Sequence, residues 1–170
     1  MSEELSLDPG RCALIVQDLQ NDVIIEGGAF AESGSPAHAK EQNVVANVKR
    51  LAAAGQYCSV RINGYASGRT LDDLDGILCP ELRAVMLPKV DRIADMQALD
   101  ALLAQLERRH GMAIGTVKTT LLLETAGAMR NAYHIAQSTS RIHQLLLAAG
   151  PGGDAARAIG YQWTKGGEET

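Results

Sequence analysis

Two carboxylates, Glu124 and Asp154, stand where apolar runs give way to polar turns: Glu124 ends "LLLE" and Asp154 ends "GPGGD". If the strands before them are neighbours, they lie about 4.8 Å apart, and the two acids can share one hard cation. Magnesium suits such a pair, because it takes one or two carboxylates, keeps several waters and fills its octahedron with substrate oxygens. The glycines of "GPGGD" let the backbone come close to a ligand, since no Cβ intervenes. The same two acids also fit a simpler role at helix starts, where the dipole favours a negative charge by a few tenths of a kcal/mol.

Other groups gather at the expected strand ends: Asp18 and Asp22 in "QDLQND", Arg61 and Asn63 in "VRIN", and Lys89 in "LPKV". A guanidinium ending a buried strand needs a partner. For Arg61 this is a substrate carboxylate or phosphate, held by two parallel hydrogen bonds, or an ion pair with Asp72, Asp73 or Asp18. Lys89 reads as a structural or rim lysine. His38, His110, His134 and His143 share no ligand spacing; His110 reads as a helix-end cation and His134 as a helix-face residue. Cys12, Cys58 and Cys79 lack a C-x-x-C spacing and a neighbouring base, so inert buried thiols are expected.

The elements that must position these groups alternate. Apolar runs predict strands at 13–16, 57–62, 84–87, 116–123 and 144–149. Helical spacing predicts a helix over 38–54, stopped by Gly55, a short one that Thr70 can cap, and a long one over 92–109. The long helix has an apolar stripe of Ile93, Met96, Leu99, Leu103 and Leu106, and "ERRHG" closes it. Further helices follow Glu124 and Asp154. Strand and helix in alternation, with short connections, predict parallel pairing with helices packed on the sheet. The class is α/β, and binding groups are expected at the carboxyl ends of the strands.

Composition narrows the function. The chain has 170 residues, enough for a single α/β domain with its own core. Its 16 basic and 20 acidic residues give a net charge of −4 with no basic stripe, so a nucleic-acid surface is not expected. No run reaches the roughly 18 apolar residues a membrane helix needs. The opening "MSEELSLDPG" is acidic and polar, unlike a targeting signal, and a cytoplasmic setting is expected.

Residues 57 to 169 carry "VRIN", "LDDLDGIL", "AVMLPKV", "LLLETAGAMRNAYHIA" and "AAGPGGDAARAIG" in that order. Together these resemble the citrate lyase beta-subunit-like and malyl-CoA lyase family, magnesium-dependent carbon–carbon lyases on a (β/α)8 barrel. The resemblance implies that Glu124 and Asp154 hold Mg2+ and that Arg61 meets a substrate carboxylate or carbonyl. Residues 11–54, with "CALIVQDLQNDVI" and "NVVANVKRLAAA", instead resemble the opening of isochorismatase-like cysteine hydrolases, in which an aspartate matching Asp18 works with a lysine and a later cysteine. That cysteine motif has no counterpart here. The chain therefore reads as a hydrolase-like first β-α unit over 1–54 joined near 54–57 to a lyase-like barrel segment over 57–170.

The resulting expectation is a lyase or aldolase that cleaves a β-hydroxyacyl-CoA thioester or related oxo-acid, with Asp18 a candidate base. The alternatives are a cysteine hydrolase and an inactive α/β module that only binds. A closed (β/α)8 barrel has eight strands in about 250 residues. Five strands resemble an incomplete barrel, and a homo-oligomer that covers the open edges is expected.

Overall fold

The computed structural model describes residues 13–16, 21–24, 26–27, 31–150, 153–160 and 162. They form two compact units. The first holds the described residues up to Arg61 together with Glu81–Arg83; the second holds Ile62–Pro80 and the described residues from Ala84 onward.

In the first unit, β1 (Ala13–Val16) and β2 (Tyr57–Arg61) are connected through α1 (Asn21–Ile24), α2 (Ser35–Glu41) and α3 (Val44–Ala53). The strands are parallel, from Ala13 opposite Tyr57 to Val16 opposite Val60. The single helix expected over 38–54 is in fact two. Asn43 sits in the left-handed region at φ 53°, which a right-handed helix cannot contain and which asparagine adopts more readily than most residues. Asn47 fixes the break by donating from its side-chain amide to the Gln42 carbonyl at 3.0 Å.

The second unit carries α4 (Thr70–Ile77), β3 (Leu82–Leu87, of which Leu82 and Arg83 count with the first unit), α5 (Ile93–Arg109), β4 (Lys118–Leu123), α6 (Ala126–Ala136), β5 (Ile142–Leu147) and α7 (Asp154–Ile159). β3 pairs with β4 from Ala84 opposite Lys118 to Leu87 opposite Leu121, and β4 pairs with β5 up to Leu123 opposite Leu147; both pairings are parallel. The expected α/β class with parallel strands is what the chain forms. Thr70 is the first residue of α4 rather than its cap, and its hydroxyl donates to the Asn63 carbonyl at 3.0 Å. β5 starts at Ile142, two residues before the expected 144, because a register shift between Thr119 and Thr120 accommodates His143 in the strand.

Met96, Leu99 and Leu103 of the α5 stripe are fully buried, as are Leu87, Leu121 and Ile135. Each such side chain contributes about 1.5–3 kcal/mol by leaving water. Ile93, at the helix start, stays exposed, as do Leu146 and Leu147 at the end of β5. Among the described residues no helix is long and apolar enough to cross a membrane.

Charge is buried at the amino ends of β4 and β5. Arg141, just before β5, donates from Nη1 and Nη2 to the two carboxylate oxygens of Glu107 at 2.9 and 3.1 Å, from Nη1 also to the Val117 carbonyl at 2.8 Å, and from Nε to Asp100 at 2.7 Å. Glu107 in turn accepts the backbone N–H groups of Gly115 and Val117 at 2.8 and 2.7 Å. Burial pushes the Asp100 carboxyl up, but hydrogen bonds from Arg141 and Thr139, with the Arg141 charge, outweigh it and hold the group below its ordinary range.

Candidate active site

At the opposite, carboxyl ends of β3, β4 and β5, one residue ties the two predicted ligands together. Pro88 stops β3, and Lys89 turns the chain at φ 56°. Its backbone N–H donates to Glu124 Oε2 at 3.0 Å, while its Nζ lies 3.2 Å from Asp154 Oδ2. Glu124 and Asp154 are thus gathered around a single lysine. Lys89, expected to be a rim or structural lysine, is exposed and lies between the two acids. A left-handed lysine after a strand-ending proline leaves no mark in hydrophobic periodicity, so the pattern could not have found it.

Glu124 does not serve as a helix-start acid. The cap of α6 is Thr125, whose hydroxyl accepts the Ala128 N–H at 3.0 Å. The same hydroxyl donates to Asp91 Oδ1, and the Asp91 carbonyl accepts from the Asn131 side chain at 3.0 Å. These bonds clamp the turn that carries Lys89 to the first turn of α6, and the Glu124 carboxylate reaches sideways to the Lys89 N–H.

Asp154 is the first residue of α7, so its helix-start role is real, but it is not its whole role. Oδ1 accepts from Arg157 one turn on, and Oδ2 meets Lys89. The Arg157 hydrogen bond, followed by that of Lys89, holds its carboxyl below the usual carboxylate range. Gly153 sets its position. A Cβ there would stand 3.0 Å from the Gly150 carbonyl oxygen and 3.2 Å from that of Ala148, both backbone atoms that cannot yield cheaply.

Of the other predicted site residues, Arg61 is the half-buried last residue of β2 in the first unit. Asp73, one of its suggested partners, accepts the backbone and side-chain N–H groups of Asn63 at 2.7 and 2.9 Å. Asp18 and Cys12 lie outside the described residues. Cys58 is buried, as expected; Cys79 is exposed, a correction, because it falls between the end of α4 and Pro80 in a surface turn. His110 caps the end of α5, and its Nε2 lies 2.9 Å from Asp75 Oδ1. His134 is exposed and meets the Tyr133 ring edge-on at 5.6 Å.

Among the described residues no three His, Cys, Asp or Glu side chains converge as a ready metal cage. The donor set is two carboxylates, and a cation already lies against one of them. That set fits magnesium, which needs only one or two protein carboxylates, and does not fit a structural zinc, which needs four protein ligands.

Residues 25–170 match the family model of HpcH/HpaI aldolase/citrate lyase. The chain belongs to that family. An L-malyl-CoA/beta-methylmalyl-CoA lyase of Cereibacter sphaeroides is 31% identical over 125 residues, which are 72% of this chain and 38% of the relative. A citrate lyase from Burkholderia xenovorans LB400 aligns in structure with a TM-score of 0.53 and 26% identity, over 62% of this chain and 32% of that one. The citrate lyase beta subunit from M. tuberculosis, solved in complex with oxaloacetate and magnesium, shares the fold at a TM-score of 0.51 and 19% identity, over 93% of this chain and 57% of its own. The chain spans about 38% of the length of the curated lyase it matches. Because the family model begins at residue 25, it takes in most of the stretch likened to isochorismatase-like hydrolases, and that likeness draws no support from it.

Proposed function

We propose that this chain contributes to a carbon–carbon lyase that cleaves a β-hydroxyacyl-CoA thioester, of malyl or citramalyl type, or a related oxo-acid. The observation that carries the reading is the pairing of Glu124 and Asp154 around Lys89 at the carboxyl ends of parallel strands. It is supported by the lyase relatives and by the magnesium and oxaloacetate held by the M. tuberculosis neighbour.

In this reading Glu124 and Asp154 hold Mg2+. When bound, the ion supplies Lewis-acid stabilisation of negative charge on a substrate oxygen. Arg61 orients the substrate's carboxylate or carbonyl through its planar pair of donors. The β-hydroxyl gives its proton to a base, for which Asp18 is the candidate; the carbon–carbon bond to the α-carbon breaks, and its electron pair passes to the thioester enolate. The enolate then takes up a proton, and an oxo-acid and a shorter acyl-CoA leave. The Thr125–Asp91 clamp keeps Glu124 in line with the turn that carries Lys89 throughout.

The test is oxo-acid release from malyl- and citramalyl-type CoA esters with Mg2+ present, trapped as the phenylhydrazone. Release is expected in the full chain, lost in Arg61→Met and retained after thiol alkylation, for which Cys79 is the exposed target. No release from either ester, or loss of release on alkylation, would overturn the reading.

A further inference from the structure

We infer that Lys89 is a built-in counter-ion: its ammonium occupies Asp154 until a divalent cation arrives, and the cation then displaces it. The inference rests on the reading of Glu124 and Asp154 as metal ligands and adds a competitor at that site. Three observations carry it.

The first is that Lys89 holds the two acids through different atoms. Its backbone N–H serves Glu124 and its Nζ serves Asp154. The ammonium can therefore leave Asp154 without loosening Glu124, because the backbone bond depends on the turn and not on the side chain. The second is exposure. The Lys89 and Asp154 side chains are 64% and 38% exposed, so the released ammonium can be hydrated at once. The other oxygen, Oδ1, is taken by Arg157, which makes Oδ2 the oxygen over which lysine and metal compete. The third is the backbone. A φ of 56° strains a lysine, whose Cβ crowds the backbone there, and would not strain a glycine. The backbone bond to Glu124 needs only an N–H, which glycine also has, so the side chain is what lysine adds at this position.

The ammonium and a divalent ion seek the same oxygen, and a doubly charged ion that also reaches Glu124 gains more there. Affinity for the metal is thereby set below what the bare carboxylate pair would give. The experiment is calorimetric titration of Mn2+ alone into the full chain, as wild type, Lys89→Met, Lys89→Gly, Lys89→Arg and Arg92→Met, each first checked for folding by circular dichroism. Arg92, an exposed cation paired with Asp95, controls for the general loss of one positive charge.

Lys89→Met and Lys89→Gly are expected to bind one Mn2+ at least fivefold more tightly than wild type, with Lys89→Arg and Arg92→Met within twofold of it. If Lys89→Met fails to fold, Lys89→Gly, which suits the left-handed backbone, decides alone. Unchanged or weaker binding in the Lys89 variants would overturn the exchange, as would an equal gain in Arg92→Met. Glu124→Ala and Asp154→Ala, titrated alongside, separate the two layers. Full binding in both would sink the metal-site reading and the exchange with it. Binding lost in both, with no gain in the Lys89 variants, would leave the reading standing and the exchange refuted.

Discussion

Strands β4 and β5 carry charge at both ends, in opposite styles. At the amino ends, Arg141 and Glu107 are buried, and the carboxylate receives two guanidinium and two backbone donors. At the carboxyl ends, Glu124 and Asp154 are partly open to solvent, and one flexible lysine serves both. The buried Glu107 carboxylate has both oxygens filled by these donors and leaves nothing to offer a ligand. The second is exposed, and under the proposed exchange a divalent cation takes the place of the lysine there. The contrast separates charge that fixes a structure from charge kept available for chemistry.

The buried cluster at the amino ends should respond most strongly to mutation. Arg141→Met leaves Glu107 buried without its counter-charge and is expected to cost about 3–5 kcal/mol in urea unfolding. The double variant Arg141→Met/Glu107→Met should recover much of that loss, since a buried pair replaced by apolar groups of similar volume is often neutral. If the single variant unfolds at the wild-type midpoint, the cluster is not what holds this end.

At the carboxyl ends the backbone matters more than the charges. Gly153→Ala pushes a methyl group against the Gly150 and Ala148 carbonyls and is expected to cost about 1–3 kcal/mol while shifting Asp154. Mn2+ affinity should fall in that variant even though no ligand is removed. Unchanged affinity would mean that Gly153 does not position Asp154.

At Asp100, beside the buried pair, the response is to pH and is smaller still. The folded-state carboxyl of Asp100 is depressed, so its contribution to stability is present above the unfolded value of about 3.9 and is lost as pH falls through the folded value. The urea midpoints of wild type and Asp100→Asn should differ by a constant amount at neutral pH and converge in acid below that range. A gap that persists unchanged in acid would show that the Asp100 charge contributes nothing.

Much of this was legible in the sequence. The strands expected at 13–16, 57–62 and 116–123 form at Ala13–Val16, Tyr57–Arg61 and Lys118–Leu123, from apolar runs between turn residues, and the burial of Met96, Leu99 and Leu103 follows from helical spacing. The break at Asn43 was not, because neither glycine nor proline marks it and the apolar spacing runs straight through. Glu107 reads as one more charge in "ERRHG", a helix end facing water, because its partner Arg141 lies 34 residues further on. In the site, Glu124 and Asp154 were visible as acids that end apolar runs. The bridging role of Lys89 and the Thr125–Asp91 clamp were not, since both depend on a left-handed turn and on residues brought together only by parallel pairing.

On the proposed reading the open pair, and not the buried cluster, is where this chain meets a cation. Calorimetric titration of Mg2+ into wild type, Glu124→Ala and Asp154→Ala tests it directly, with urea midpoints measured on the same samples. One bound ion in wild type is expected, with binding abolished in both variants while Asp154→Ala unfolds close to the wild-type midpoint. Full-strength binding in both variants would place the cation elsewhere and contradict that reading.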